Sequence, residues 1–417
     1  MSSDNKALRR PLAGVRIVDL STVLMGPYAT QILADYGADV IKVEPPAGDM
    51  MRHAGPMKHA GMGPIFLQAN RNKRSLVLDV KKAAGRSALL DLIRGADVFI
   101  TNTRPAAMRR LSLAYEDLAD EHPRLIYVSL VGFDQEGPYG PAPAYDDVIQ
   151  AASGLAALAA MQNSGPPAYV PMVIADRIAG LNAAHAVLAA LLMREKTGKG
   201  QRIEIPMFET LAALVMADHM GGETFIPSAG PVGYQRLLTR HRRPYKTKDG
   251  YVALLVYTDG QWQRFLQLVK GGESLAADPR YASVSSRANH YDEIYSVIDS
   301  LLAERTTSEW VDLLGGNDIP CMKVAGPMDL LGDPQLAAAG LIEEHVHPSE
   351  GRIRATRVPA RWSDADLSMR LHAPRLGEHS IEVLLEAGLS RRQIDELLAA
   401  GVTLAGPRTD EGQSDHA

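Results

Sequence analysis

The chain has 417 residues, of which 46% are apolar and 22% charged, as in an ordinary globular protein with room for two cores. The net charge of −5 gives no long-range reason to bind nucleic acid or an anionic membrane. The single cysteine, Cys321, excludes a disulfide framework and a cysteine-based zinc site. Because the first ten residues also lack the apolar core of a signal peptide, we expect a cytoplasmic protein.

The first half of the chain alternates between strand and helix patterns. Helical runs at 28–36 and 83–94 lie among five β-rich runs, at 15–20, 38–44, 75–80, 97–102 and 125–130. Such alternation is typical of βαβ units. It predicts an α/β fold with an open, largely parallel, Rossmann-like sheet.

A strand-like run at 172–175 leads into a long apolar helix that Thr197-Gly-Lys-Gly ends. Because Asn182 and His185 interrupt the helix, its apolar run is shorter than the roughly 18–20 residues of a membrane span, and we interpret it as a buried helix. Asp176 lies at its N-terminus. Two interpretations fit this placement: a simple N-cap, or a functional carboxylate whose pKa the helix N–H groups keep low.

The rest of the chain predicts a second, smaller α+β domain. We assign 1–220 to a large domain, 221–245 to a glycine-, proline- and arginine-rich linker or active-site loop, and 246–330 to the small domain. The small domain combines strands at 251–257 and 321–324 with helices at 260–269, 291–304 and 307–314. Residues 331–405 return to the large domain through a hairpin (344–347 and 352–357) and helices at 380–387 and 391–400, and 406–417 are expected to be a disordered tail.

Several familiar sites are excluded by missing motifs. Glu44 at the end of the second strand suggests a contact with the ribose of a nicotinamide cofactor. The first turn (21–27, STVLMGP), however, lacks the three-glycine fingerprint of such sites, so we interpret Glu44 as a solvated strand end. The phosphate-loop and serine-hydrolase motifs are also missing. The twelve histidines are scattered and predict no metal site.

Five segments together resemble the family III CoA-transferases, the group that contains formyl-CoA transferase, carnitine CoA-transferase and α-methylacyl-CoA racemase. They are residues 12–20 (LAGVRIVDL), 37–44 (GADVIKVE), 72–75 (NKRS), 197–201 (TGKGQ) and 373–379 (APRLGEH). The resemblance spans about residues 11–401. It implies that Asp176 is a covalent nucleophile, that coenzyme A enters as a substrate and not as a bound cofactor, and that the protein is an interlocked homodimer.

The resemblance also implies which residues bind CoA. Val23, Leu24 and Met25 fall on the first turn, Lys73 on a phosphate-contacting lysine, Asn102 and Thr103 on an adenosine-side pair, and Arg110 on a basic residue that faces the phosphates. Pro45 replaces a basic residue of the family, and Arg52 or Arg71 is a candidate to substitute for it. A solvated basic rim is the alternative for Lys73, Arg74 and Arg110.

Tyr145 distinguishes between two branches of the family. The racemase branch has a histidine at this position for α-proton exchange, whereas Tyr145 and Asp146 match the tyrosine–acid pair of the transferases, although a structural role for Tyr145 is also open. We therefore expect a CoA-transferase, with a racemase and a catalytically silent CoA-binding protein as alternatives.

Arginines suggest the substrate of this transferase. Arg177 and the cluster 240–243 (RHRR), which begins with Arg240, could pair with the second carboxylate of a dicarboxylic acid. This indicates succinyl-CoA as donor and a C4–C6 dicarboxylate as acceptor, and a basic linker is the alternative for the cluster. The formyl-CoA transferases that this chain resembles have a run of adjacent glycines in the corresponding loop. Here the glycines at 221–222 and 230–233 are split, so we do not expect oxalate as the acceptor.

Overall fold

The computed structural model describes residues 10–406. The chain forms two compact units, the first comprising Met1–Ala152, Pro171–Leu211 and Gln335–Ala417, and the second Ser153–Val170 and Ala212–Pro334. The sequence-based boundaries assign residues 153–170 to the large domain, whereas the structure groups them with the second unit. The expected tail lies outside the described residues except for residue 406, as does the N-terminal segment up to residue 9.

A six-stranded parallel sheet forms the centre of the first unit, in the order β3-β2-β1-β4-β5-β6. Its strands are Arg16–Leu20 (β1), Asp39–Glu44 (β2), Lys73–Val77 (β3), Val98–Thr101 (β4), Ile126–Val131 (β5) and Gln201–Pro206 (β6). Every adjacent pair is parallel. This confirms the predicted α/β fold and the five predicted strands. The sixth strand was not predicted, because β6 is a half-exposed edge strand whose sequence, QRIEIP, mixes polar with apolar residues.

Helices cover both faces of this sheet. One core is formed by the strands of the sheet together with helix side chains such as Leu89, Leu92, Val383 and Ile394. The long helix Ile174–Thr197 (α8) packs against helix Met25–Asp35 (α1) and against strands β5 and β6. The helices of this unit are Met25–Asp35 (α1), Pro64–Ala69 (α2), Ala83–Ile93 (α3), Pro105–Arg110 (α4), Tyr115–Leu118 (α5), Asp146–Ala152 (α6), Ile174–Thr197 (α8), Met207–His219 (α9, which continues into the second unit), Ser380–Glu386 (α18) and Arg391–Ala399 (α19).

Helix α8 has one buried and one exposed face. It ends as predicted, with Gly198 in the left-handed conformation at φ 73°. Among the described helices it alone is long and apolar enough to cross a membrane, yet Ala179, Ala183 and Val187 are buried inside the unit, as in a core helix. The opposite face is exposed, with Leu192 67% accessible, so the interpretation as a buried helix holds for one face only. The strand-like run at 172–175 was wrong, because the helix already begins at Ile174.

The second unit packs helices on a small antiparallel sheet. Its strands, Tyr245–Lys246 (β7), Tyr251–Leu254 (β8) and Cys321–Lys323 (β9), lie in the order β7-β8-β9. The core contains Trp262, Phe265, Ile298 and Trp310. Its helices are Leu155–Asn163 (α7), Gln235–Leu238 (α10), Asp259–Leu268 (α11), Gly272–Ala276 (α12), Val284–Ala288 (α13), Tyr291–Leu302 (α14), Thr307–Gly315 (α15) and Pro327–Leu330 (α16), and Pro334–Ala339 (α17) follows at its boundary.

The structure contains the predicted hairpin, whereas the predicted linker or loop at 221–245 contains secondary structure. Ile342–His347 (β10) and Gly351–Thr356 (β11) pair antiparallel, which confirms the hairpin. The segment 221–245 is not a structureless linker, because it contains a 3₁₀ turn at Gly221–Thr224, helix α10 and the start of β7.

Candidate active site

Asp176 is the third residue of α8 and not its N-cap. The N-cap is Val173, whose side chain makes no capping hydrogen bond. The cap comes from α6 instead, because Oδ2 of Asp146 accepts the backbone N–H of Asp176 at 3.0 Å. The other oxygen of Asp146 accepts a hydrogen bond of 2.6 Å from Nε2 of Gln150. Asp146, only 6% exposed, is therefore fixed beside Asp176, and the simple N-cap interpretation of Asp176 is wrong.

The Asp176 carboxyl has an unusually high proton affinity. Burial, followed by the negative charge of Asp146, raises its pKa from 3.8 to about 6, against the opposing effects of Arg177 and the backbone N–H of Met25. The expectation of a low pKa was wrong, because desolvation and a neighbouring carboxylate outweigh the field of the helix N-terminus. A partly buried carboxylate with a perturbed pKa is a candidate functional group.

A close approach of two helices brings Met25 to this carboxylate. Gly180 lies one helical turn after Asp176 on α8, and a Cβ there would come within 2.7 Å of the carbonyl oxygen of Met25. Only a glycine allows α1 and α8 to be this close. Met25 is the first residue of α1, so its N–H is not used within that helix and is free to hydrogen bond the carboxylate of Asp176.

Arg177 lies against an aromatic ring beside the nucleophile candidate. Its guanidinium carbon is 4.3 Å from the centre of the Tyr28 ring. Burial lowers the pKa of Arg177, partly offset by the charge of Asp176. Within residues 10–406 no carboxylate lies within ion-pair distance of this guanidinium. Its donors are therefore available to an anionic ligand.

Tyr145 comes directly before α6, and its carbonyl accepts the N–H of Ile149 as that helix begins. Its side chain is 66% exposed. The structure thus brings Asp146 and Asp176 into contact, whereas Tyr145 is next to Asp146 in the chain and exposes its side chain.

The first turn is tied to the rest of the unit through its backbone. Leu24 and Met25 are buried, and Val23 has a positive φ of 69°. Asn102 accepts the N–H of Thr22 at 3.0 Å and donates to its carbonyl at 2.8 Å. The amide of Asn102 therefore holds the turn, and the contact of Asn102 and Thr103 with adenosine stays a prediction.

The buried positions of three basic residues contradict their predicted role at the CoA phosphates. Lys73 is fully buried, with its ammonium within 3.3 Å of the carboxylate of Asp19, the carbonyl of Pro27 and the amide of Asn70, and burial lowers its pKa to about 8. All three of its donors are used. Arg52 forms a buried ion pair with Glu44 and Arg71 one with Asp35. Glu44 is consequently not the solvated strand end that its position in the sequence suggested.

The remaining candidates lie at the surface. Arg110 is exposed at the end of α4, two turns after Thr103, whose N–H donates to the hydroxyl of Thr101. Arg240 is exposed in the second unit, where its Nε lies 3.1 Å from Nε2 of His241. Residues 10–406 contain no group of three or more His, Cys, Asp or Glu side chains that could hold a metal ion.

The sequence analysis did not identify the buried residues that support the candidate site. Lys42 and Asp49 form one buried ion pair beside the first turn, Asp19 forms another with Lys73, and no local pattern marks Lys42, Asp49 or Asp19. Gly180 did have a signal, because a glycine inside a helix costs about 1 kcal/mol and suggests a close backbone approach.

Comparison with known proteins gives consistent matches along the chain. The sequence profile of CoA-transferase family III matches residues 12–380. An acyl-CoA transferase of Fusarium pseudograminearum is 34% identical over 96% of this chain and 91% of its own. Human succinyl-CoA:glutarate CoA-transferase is 32% identical over 94% and 90%. The crystal structure of the hypothetical protein Rv3272 from Mycobacterium tuberculosis superposes with a TM-score of 0.77 at 30% identity, covering 90% of this chain and 99% of that one.

Proposed function

Because the chain belongs to CoA-transferase family III, we propose that this CoA-transferase works through covalent intermediates on Asp176. The observation that carries the proposal is the environment of this carboxylate. It is partly buried, has a pKa of about 6, and lies where the N-termini of α8 and α1 meet. A carboxylate of this kind is ionised at neutral pH and more nucleophilic than one with an ordinary pKa.

The proposed reaction consists of four acyl transfers. Asp176 attacks the thioester carbonyl of the donor, which gives a mixed anhydride and CoA thiolate. The thiolate attacks the aspartyl carbonyl and releases the donor acid, leaving an aspartyl-CoA thioester. The acceptor carboxylate attacks this thioester to form a second anhydride and thiolate, and the thiolate then takes the acceptor's acyl group and frees Asp176. Over the whole cycle one thioester replaces another, so the reaction balances without ATP.

Backbone N–H groups support these steps. Each attack turns a carbonyl oxygen into an oxyanion, which is stabilised by fixed donors already directed at it. The N–H of Met25, which lowers the pKa of the Asp176 carboxyl, is such a donor when the aspartyl carbonyl is attacked. The capping contact from Asp146 holds the nucleophile's own peptide in place.

We propose a dicarboxylate as the substrate class. Arg177 follows the nucleophile directly and has no carboxylate partner among the described residues, so it is suited to the remote carboxylate of a substrate. A relative that is 32% identical is named succinyl-CoA:glutarate CoA-transferase. Succinyl-CoA is therefore the proposed donor, and a C4–C6 dicarboxylate the proposed acceptor.

We also propose a homodimer in the cytoplasm. The exposed apolar face of α8, which includes Leu181, Leu192 and Met193, is suited to an interface between two copies. Light scattering after size exclusion should give twice the 45.1 kDa chain mass. A monomer at micromolar concentration would contradict the dimer, and fractionation of the source cells tests the location.

Trapping the covalent intermediate tests the function. The protein is incubated with succinyl-CoA, treated with hydroxylamine or borohydride, and digested for mass spectrometry. We expect modification at Asp176 and none at Asp147, the exposed carboxylate next to Asp146. Asp176→Ala should abolish transfer and retain CoA binding, whereas Asp147→Ala should stay active. An unmodified Asp176 together with α-proton exchange on a 2-methylacyl-CoA would indicate a racemase instead.

A further inference from the structure

The turn that precedes α1 contains a strained residue. Val23 has φ 69°, in the left-handed region, where a β-branched side chain is rarely found. Such a conformation costs on the order of 1–3 kcal/mol and persists only where the surroundings enforce it. The surrounding contacts should therefore include groups that hold this turn in place.

A fully buried ion pair provides these contacts. Oδ1 of Asp49 accepts the N–H of Val23 at 3.1 Å, and Oδ2 lies 2.8 Å from the ammonium of Lys42. The same ammonium donates to the carbonyl of Ser21 at 3.0 Å. The pair thus holds the turn by a carbonyl on one side and an N–H on the other, and both of its side chains are wholly inside the unit.

Two further interactions make the turn rigid. Asn102 holds both polar groups of the Thr22 backbone, so three consecutive residues, Ser21 to Val23, are hydrogen bonded to side chains from other segments. Asp49 itself is held by its own N–H, which donates to Glu44 at 3.0 Å. The ion pair therefore cannot move without disturbing the adjoining Glu44–Arg52 pair.

The turn ends two residues before the catalytic contact. After Val23 come Leu24, the N-cap of α1, and Met25, whose peptide abuts Gly180 and whose N–H meets Asp176. A shift of the turn therefore moves this N–H relative to the nucleophile. A displacement of about 1 Å at a reacting centre can cost about a hundredfold in rate.

We propose that the buried Lys42–Asp49 pair, together with Asn102, positions the strained first turn so that the Met25 N–H is fixed against Asp176. These are positioning residues, because they act on the reaction through the backbone and do not touch the reacting atoms. The proposal rests on the proposed function, since it requires Asp176 to be the nucleophile.

Paired substitutions test the proposal. Asp49→Asn keeps the shape of the side chain but weakens its interaction with Lys42. Asp35→Asn is the matched control, because Asp35 is also buried, pairs with Arg71 at 2.6 Å and does not contact the turn. The measurement is the single-turnover rate of aspartyl-CoA formation from succinyl-CoA, alongside the Kd of CoA. At saturating succinyl-CoA we expect Asp49→Asn to slow formation by about 10–100-fold, whereas the control should change the rate by less than about 3-fold and leave the Kd unchanged.

A pH profile separates positioning from general destabilisation. Because the Met25 N–H lowers the pKa of Asp176, its displacement in Asp49→Asn should move the acid limb of the single-turnover rate to higher pH. Should Asp49→Asn fail to fold, Asn102→Ala is used, with an expected fall in rate of about tenfold and the same movement of the acid limb. Equal rates and profiles for the Asp49 or Asn102 variant and for Asp35→Asn would overturn the positioning role. Absence of an adduct in the wild-type protein would overturn the proposed function as well.

Discussion

The raised pKa of Asp176 predicts a strong pH dependence of the first half-reaction. Only the ionised carboxylate can attack the thioester, and with a pKa of about 6 it is half ionised at pH 6. About a tenth is ionised at pH 5, so kcat/KM for succinyl-CoA should fall about fivefold from pH 6 to pH 5 and about tenfold for each further pH unit. With the ordinary value of 3.8, the rate would stay level down to about pH 5.

Stopped-flow measurement of aspartyl-CoA formation between pH 4.5 and 8, at subsaturating succinyl-CoA, gives this profile for the free enzyme. Asp146→Asn removes the second-largest cause of the shift and leaves burial, the largest, in place. Its midpoint should therefore move to lower pH without reaching 3.8. Asp147→Asn removes a charge from the same helix on an exposed position, where solvent screens it, and should leave the midpoint unchanged. A wild-type rate that is level from pH 8 to 5 would refute the reasoning.

Three further substitutions have defined outcomes. Asp176→Asn should raise the free energy of unfolding at pH 8 by up to about 3 kcal/mol, which corresponds to a pKa shift of about two units. Because the pKa of Asp176 is higher in the folded than in the unfolded protein, the gain should shrink from pH 6 to pH 4 and be absent below pH 4, as measured by urea titrations. Gly180→Ala places a Cβ 2.7 Å from the Met25 carbonyl and should lower both stability, by about 1–3 kcal/mol, and the rate of adduct formation; unchanged values would contradict the close approach. Arg52→Met leaves Glu44 buried without its partner and should lower the free energy of unfolding by about 3–5 kcal/mol, while calorimetry on the folded fraction should find an unchanged Kd of CoA. Weaker CoA binding at normal stability would instead indicate that Arg52 contacts a CoA phosphate.

The predictability of the strands follows from where they lie in the sheet. The central strands are buried on both faces, so their sequences are continuous β-rich runs that can be recognised without a structure. Edge strand β6 is partly exposed, and its mixed sequence does not differ enough from a loop. The start of α8 was misplaced for another reason: its N-terminus is capped by Asp146, thirty residues earlier in the chain, so no local capping residue marks it.

The candidate site was predictable in identity but not in electrostatics. The family resemblance identified Asp176 and Asp146, and the structure shows them in contact. The burial of Lys73 and Arg52 was not predictable, because the interiors that enclose them are formed by segments far apart in the chain. A basic residue in a loop pattern gives no indication of whether its charge faces solvent or a buried carboxylate.

The contact between Asp146 and Asp176 has a consequence for the covalent intermediates. The burial and repulsion that raise the pKa of Asp176 favour its neutral, protonated form over the anion. In the aspartyl anhydride and thioester the Asp176 side chain is neutral as well, so the same electrostatics favour these intermediates over the free enzyme. The effect is at most about 3 kcal/mol, the free energy that corresponds to the pKa shift of Asp176. Asp146→Asn should therefore reduce the fraction of enzyme held as aspartyl-CoA at equilibrium with succinyl-CoA. A fraction equal to that of the wild type, measured by intact-protein mass spectrometry, would show that Asp146 acts only as the cap of α8.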